Sequence, residues 1–263
     1  RALGAGRVFQ SDSSLASVEL PEDGLPPLGV HALVWCGGWS EEECNRALRR
    51  SAELAYDFVE VPLLSPEAVD PAMTRRALER HGMRATASLG LRLDADISSE
   101  DGEVVRRGEE LLAAALDAAA GFGSDYLVGV LYSALHKYPR PASPQSRRNA
   151  VGALRRLADR AADKGVTLGL EVVNRYETHL VNTAAQGCEL LEDVGRDNVK
   201  VHLDTYHMHI EESSLAGAVR LCGDRLGYVH VGESHRGYLG SGNVDFAQFF
   251  RALVEAGYDG PVA

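Results

Sequence analysis

The sequence has no long hydrophobic run and little cysteine. No stretch approaches the roughly 18 consecutive apolar residues of a membrane-spanning helix, and the N-terminus lacks a basic segment followed by an apolar core. Cys36, Cys44, Cys188 and Cys222 are scattered and form no CxxC pair. This spacing excludes a small disulfide framework and favours free thiols in a reducing compartment. We therefore predict a cytoplasmic protein without a membrane partner.

Positive charge is also scarce. The chain has 27 Lys and Arg against 38 Asp and Glu, which gives a formal net charge of -11. A surface with this balance repels nucleic acids and anionic membranes, so neither is expected as a partner. A small neutral or metal-bound substrate fits the charge better.

The length suits one large domain. The 263 residues match the roughly 250 residues of a single (β/α)8 barrel. Residues 1–27, which end in PEDGLPP, contain Gly, Pro and Ser without periodicity and are predicted to form an irregular tail. Residues 28–263 are predicted to form the catalytic domain. The chain has no initial Met, which leads us to expect a fragment.

From Leu28 onward, short β-branched runs alternate with longer helical patterns, as in βα units around a parallel sheet. Ser40 with Glu43 predicts a capping box at the first helix, and Gly82 predicts the end of the second. The predicted strands are residues 29–35, 58–61, 85–89, 126–130, 167–172, 199–203, 226–231 and a last strand that begins at Pro261.

The fold class predicted from this pattern is α/β, as a single TIM barrel with its eighth strand truncated at the C-terminus. A doubly wound sheet is the alternative, but no GxGxxG motif opens the first βα turn. GYLGSG at 237–242 follows a strand without leading directly into a helix.

Three polar residues stand at the tails of consecutive strands: Glu171, Asp204 and His230. Strand alternation turns Glu171 into the barrel with Gly169, and by the same argument Asp204 and His230 also point inward. The carboxyl ends of the strands are where such barrels gather catalytic groups. Two carboxylates and one imidazole suit Mn²⁺, Co²⁺ or Mg²⁺ better than a closed zinc site, and we predict a metal site there.

Long motifs around these residues resemble the ketose 3-epimerases, which act on D-tagatose, D-allulose (D-psicose) or L-ribulose. The resemblance extends from about Leu28 to the C-terminus. The motifs that carry it are SDYLVGVLYSALHKYP at 124–139, GLEVVNRYETHLVNTAAQ at 169–186, VKVHLDTYHMHIEE at 199–212 and GYVHVGESHRGYLGSGNVDF at 227–246. It implies a (β/α)8 barrel that holds one Mn²⁺-type ion through Glu171, Asp204, His230 and a second Glu. That second Glu is expected on strand 8, just beyond Ala263.

The implied reaction is inversion at C3 of a free ketose, which requires removal of a proton on one face and its return on the other. One glutamate deprotonates, the other reprotonates, and the intermediate is a cis-enediolate. Glu171 is the predicted acid/base group that also touches the metal. The resemblance further implies that Glu177, His207 and Arg236 contact the C1 to C3 oxygens of the ketose, and that the enzyme is a homodimer or homotetramer. His31, Trp35 and Ser88 are predicted to line the pocket.

Other functions remain open at this stage. The same superfamily includes aldose–ketose isomerases, hydroxypyruvate isomerases, inosose dehydratases and abasic-site endonucleases. The negative charge disfavours an endonuclease. Isomerisation between C1 and C2 shares the enediolate chemistry, so only product analysis separates it from epimerisation. A non-catalytic metal or sugar binder is the third possibility.

Overall fold

The computed structural model describes residues 26–263, so the predicted tail at 1–27 lies almost wholly outside the described residues. Within them, seven parallel strands form one sheet in the order of the chain, and helices connect them. The strands are β1 (Gly29–His31), β2 (Phe58–Pro62), β3 (Arg84–Ser88), β4 (Tyr126–Gly129), β5 (Thr167–Val172), β6 (Val199–Asp204) and β7 (Leu226–His230). The helices are α1 (Glu41–Glu53), α2 (Pro71–His81), α3 (Gly102–Phe122), α4 (Pro144–Ala162), α5 (Ala184–Val194), α6 (Thr205–Glu211), α7 (Leu215–Cys222) and α8 (Phe246–Glu255).

The local signals at the helix ends are confirmed. Ser40 and Glu43 form the predicted capping box at the start of α1. Gly82 ends α2 in the left-handed conformation, with φ 62°, where a residue without Cβ meets no steric penalty.

The first strand is shorter than predicted. It ends at His31, and a 3-10 turn at Ala32–Val34 follows. The His31 Nδ1 atom accepts a hydrogen bond from the Leu33 amide at 3.2 Å, and this side-chain cap ends the extended conformation.

Residues 261–263 connect the last strand to the first. The Gly29 amide donates to the Val262 carbonyl at 2.7 Å, and the Val231 amide donates to the Ala263 carbonyl at 2.8 Å. Val262 forms isolated bridges to Leu28 and to Val229. The sheet therefore closes on itself, while the predicted eighth strand is represented by these bridges and stays a prediction.

Strand alternation separates an apolar outer face from an interior that carries polar groups. Val59, Val61, Leu168 and Leu170 are fully buried in the layer beneath the helices. Inward-facing positions of β2, β5, β6 and β7 carry Glu60, Glu171, His202 and His230, as predicted for β5 to β7. The four cysteines are buried and free. No helix in the described part of the chain is long and apolar enough to cross a membrane.

Candidate active site

Side chains from β5, β6 and β7 meet at the carboxyl ends of these strands. Glu171 lies near the end of β5, and Asp204 and His230 are the last residues of β6 and β7. The strand register pairs Asp204 with His230 and Glu171 with His202. The structure thus places the three residues that the sequence predicts as metal ligands at the same end of adjacent strands.

The distances between these groups are short but leave room between the charged atoms. Glu171 Oε1 lies 3.9 Å from His230 Nδ1 and 3.5 Å from His207 Nε2. Asp204 Oδ2 lies 3.7 Å from the same His207 nitrogen. All four side chains are largely withdrawn from water, and electrostatic interactions between them are correspondingly strong.

The orientation of His230 is set by a residue that the sequence reasoning missed. His230 Nε2 lies 2.7 Å from Glu60 Oε2, and the Tyr228 hydroxyl donates to the same oxygen at 2.7 Å. Glu60 is fully buried. Since Nε2 donates to a carboxylate, Nδ1 is left to face Glu171, and its lone pair is available for a metal ion.

His207 has the opposite arrangement. Its Nδ1 accepts from the backbone amide of Asn174 at 3.2 Å and from the Asn174 side-chain amide at 2.8 Å. A backbone N–H can only donate, so Nδ1 carries no proton and the neutral ring is protonated at Nε2. His207 therefore presents an N–H to the space beside Glu171 and Asp204, as a hydrogen-bond donor does and a metal ligand does not.

Burial and the neighbouring charges shift the pKa values of the groups in this cluster. Burial favours a neutral Glu171, but His202 and His230 outweigh it and lower the pKa of Glu171 to about 2. Burial dominates at Asp204 and raises the pKa of its carboxyl group. Burial would lower the pKa of His230, yet Glu60 and Glu171 hold it well above its usual range. A cation bound here would take the place of the proton on Nδ1.

His202 lies beneath this cluster and was also missed. Burial, reinforced by His230, lowers the pKa of His202 to about 3, so its ring is neutral. The ring packs edge-on against His230, with centroids 4.2 Å apart. Neither ring nitrogen has a hydrogen-bond partner among residues 26–263.

Two predicted substrate-binding residues lie together at the rim. Arg236 Nη2 is 3.5 Å from Glu177 Oε1, and the guanidinium lies 4.0 Å above the centroid of the Tyr206 ring. Glu177 Oε1 also accepts from the Asn174 side-chain amide at 2.9 Å, so Asn174 links Glu177 to His207. Cation–π stacking and the ion pair together fix the guanidinium.

Of the three residues predicted to line the pocket, two contact the cluster and one contacts helix α1. His31 Nε2 lies 3.3 Å from Ser88 Oγ and 3.5 Å from Glu60 Oε1, so His31 and Ser88 join the cluster. Trp35 instead donates its indole N–H to Ser51 Oγ in α1 at 3.0 Å. Its role in the pocket stays a prediction.

The chain is similar to proteins of known activity over most of its length. A family described as xylose isomerase-like TIM barrels matches residues 48–263. An L-ribulose 3-epimerase from Methylomonas sp. is 52% identical over 89% of this chain and 82% of its own length. A ketose 3-epimerase from Arthrobacter globiformis is 48% identical over 89% of this chain and 81% of its own length. The crystal structure of a Methylomonas D-allulose 3-epimerase in complex with D-allulose superposes with a TM-score of 0.89 at 52% identity, covering 90% of this chain and 82% of that one.

The chain belongs to the ketose 3-epimerases. These isomerase-class enzymes sit within the xylose isomerase-like TIM barrels, as the sequence motifs predicted. The barrel alone does not define the chemistry, because a family 2 AP endonuclease from Brucella melitensis has the same fold at 19% identity, with a TM-score of 0.75. In this 3-epimerase family member, function has to be argued from the side chains at the strand ends.

The residues of this ketose 3-epimerase fit a divalent cation. Among the described residues, two groups have potential ligand atoms within 4.8 Å of one another: Glu171 with His202 and His230, and Glu171 with Asp204 and His207. Glu171 is common to both. The hydrogen bonds above favour His230 over His207 as the imidazole ligand. Carboxylate oxygens with one imidazole are a donor set for Mn²⁺, Co²⁺ or Mg²⁺.

Proposed function

We propose that this protein catalyses the metal-dependent epimerisation of free ketoses at C3. The substrate pairs are L-ribulose and L-xylulose, D-allulose and D-fructose, and D-tagatose and D-sorbose. The observation that supports this most directly is the position of Glu171. Its carboxylate lies beside both Nδ1 of His230, where a cation would take the place of the proton, and the Nε2–H of His207.

Glu171 is the acid/base group on one face of C3. The lowered pKa keeps it ionised, so it can accept the C3 proton, and the ketose oxygen beside it acquires negative charge as the cis-enediolate forms. The Nε2–H of His207, 3.5 Å from Glu171 Oε1, is proposed to donate to that ketose oxygen, since an N–H fixed in advance stabilises the developing charge. Arg236 and Glu177 at the rim are proposed to hold the neighbouring oxygens.

The metal site is proposed to consist of Glu171, Asp204, His230 and a second glutamate, with Mn²⁺ as the ion. When bound, the cation supplies Lewis-acid stabilisation of negative charge on O2 and O3. We infer that residues 261–263 belong to an eighth strand, because Val262 bridges Leu28 and Val229 and the Ala263 carbonyl accepts from the Val231 amide.

The substrates are proposed to be unphosphorylated. The positive charge of Arg236 beside the cluster is already balanced by Glu177, and its guanidinium is stacked on Tyr206. A phosphate group is bound by cations or amides that are free to face it. The rim of this site offers its polar groups to hydroxyl and carbonyl oxygens instead.

Product analysis tests the proposal. L-ribulose, D-allulose and D-tagatose are incubated separately with the protein, with Mn²⁺ or with EDTA, and the sugars are separated by chromatography. We expect L-xylulose, D-fructose and D-sorbose in the presence of Mn²⁺, and no conversion with EDTA or with Glu171→Gln. Aldose products would identify a C1–C2 isomerase. Binding of Mn²⁺ without any conversion would identify a non-catalytic binder.

We further propose that the enzyme is a homodimer or homotetramer in the cytoplasm and that residues 28–263 form one catalytic domain. Light scattering after size-exclusion chromatography measures the subunit number directly. A monomer would overturn the proposed assembly.

A further inference from the structure

We propose that Glu60 of β2 is a positioning residue for the metal centre, which fixes His230 as an Nδ1 ligand by accepting the proton of Nε2. This inference rests on the metal site proposed above. It assigns a role to a residue on a strand that contributes no ligand of its own.

Glu60 is unusual in its own strand. Its neighbours Val59 and Val61 face the helices and are fully buried, whereas Glu60 points into the barrel and is also fully buried. A buried carboxylate is costly unless its oxygens are hydrogen-bonded or paired with a charge. Here the partner is His230 on β7, and since β2 and β7 are not neighbours in the sheet, the contact crosses the barrel interior.

The hydrogen bonds around Glu60 have only one consistent direction. The Tyr228 hydroxyl donates its single proton to Glu60 Oε2 at 2.7 Å. The hydrogen bond between the Tyr228 and Thr86 hydroxyls, at 2.8 Å, must then be donated by Thr86. Glu60 Oε2 thus accepts hydrogen bonds from the Tyr228 hydroxyl and from His230. Because an ionised carboxylate can only accept, the proton of the second hydrogen bond must be on Nε2 of the imidazole.

The direction of these hydrogen bonds determines which nitrogen of His230 can bind a metal ion. With Nε2 protonated and held 2.7 Å from Glu60, Nδ1 is the ring nitrogen that lies toward Glu171 and the one that a cation can bind. The contact also fixes the rotation of the ring, so no conformational freedom is lost at this residue when a cation binds. Carboxylate partners of this kind also increase the basicity of the ligating nitrogen.

His31 completes the surroundings of Glu60. Its Nε2 lies 3.5 Å from the second oxygen, Oε1, which has no hydrogen-bond partner in the described chain. A role in folding alone would need Glu60 only to be satisfied, and a neutral amide could do that. A role at the metal centre also requires the negative charge beside Nε2 of His230, which a neutral amide lacks.

The test measures metal affinity and not turnover. Mn²⁺ is titrated calorimetrically into the metal-free full chain of the wild type, Glu60→Gln, Tyr228→Phe and Asp96→Asn. We expect Glu60→Gln to weaken Mn²⁺ binding by roughly 10–100-fold. Tyr228→Phe keeps the carboxylate against His230, and its effect should be smaller. Asp96→Asn is the matched control, since Asp96 is another buried carboxylate that bonds a tyrosine and a serine, Tyr138 and Ser98; its affinity should equal that of the wild type.

A second measurement uses only the wild type, in case Glu60→Gln does not fold. Nitrogen NMR of ¹⁵N-histidine-labelled protein loaded with diamagnetic Mg²⁺ reports which nitrogen of His230 keeps a proton, and we expect Nε2. A proton on Nδ1, or Mn²⁺ affinity in folded Glu60→Gln equal to the wild type, would overturn the role of Glu60 alone. A wild-type chain that binds no Mn²⁺ would overturn the metal site and this inference together.

Discussion

His207 and His230 occupy similar places beside Glu171 but offer it different ring atoms. The Nδ1 atom of His207 accepts a hydrogen bond from the Asn174 amide, whereas the Nε2 atom of His230 donates one to Glu60. We therefore propose that His207 acts as a hydrogen-bond donor and His230 as a metal ligand. Residue type alone would not distinguish them, because the difference lies in the groups behind each ring.

This difference predicts opposite effects of two substitutions. His230→Asn removes a ligand and should abolish measurable Mn²⁺ binding. His207→Asn should leave Mn²⁺ affinity within about threefold of the wild type, and it should lower kcat/KM by roughly 10–100-fold through the loss of a hydrogen bond to a charged oxygen. Calorimetry and steady-state kinetics on both variants check this. Equal loss of Mn²⁺ affinity in the two variants would contradict the assignment.

Among the larger elements, the loop between β7 and α8 is organised by one carboxylate. Glu233 is buried, and its side chain accepts hydrogen bonds from the amides of Ser234, Gly240 and Val244. Although burial acts in the opposite direction, these donors lower the pKa of Glu233 to about 2. Arg236 lies in this loop, so the hydrogen bonds of Glu233 help to fix the position of Arg236 at the rim of the site.

The lowered pKa gives a pH dependence with a definite sign. The Glu233 carboxylate stabilises the folded chain fully above its unfolded pKa, near 4.5, and this contribution is lost as the pH falls toward about 2. Glu233→Gln should therefore be less stable than the wild type at pH 6, and the difference should shrink between pH 4.5 and pH 2. Urea unfolding at a series of pH values measures it. A constant difference across that range would show that the carboxylate charge is not the cause.

Much of the strand and helix pattern could be predicted, since alternation and capping are local. The inward positions of β5 to β7 and the caps at Ser40 and Gly82 followed from spacing alone. Glu60 was missed although a signal exists, because a lone acid between two valines in FVEVP is out of place unless it has a buried partner. Asn174 carried no such signal. Its contact with His207 depends on how the loop after β5 meets helix α6.

The whole barrel depends on contacts between distant strands, which no local pattern shows. Glu60 and His230 are 170 positions apart, and Phe58 of β2 fills the interior against Tyr228 of β7. Gly29 of β1 makes room for this packing. A Cβ at position 29 would lie 2.1 Å from the Phe58 ring.

Closure of the barrel is therefore predicted to be sensitive to one methyl group. Gly29→Ala should lower the free energy of unfolding by about 1–3 kcal/mol through overpacking, as measured by the urea midpoint. Gly37→Ala is the control, because a Cβ there would meet no atom within 4 Å. Equal stability of the two variants would show that the ring of Phe58 relaxes freely.

The measurement that tests the central claim most directly is the position of solvent deuterium in the product. D-allulose is incubated with the protein and Mn²⁺ in D₂O, and the recovered ketoses and aldoses are separated and analysed by NMR. Our account predicts deuterium at C3, with neither label nor product when Glu171→Gln replaces the wild type. Deuterium at C2 of an aldose product or at C1 of the recovered ketose, with C3 unlabelled, would contradict it and identify a C1–C2 isomerase.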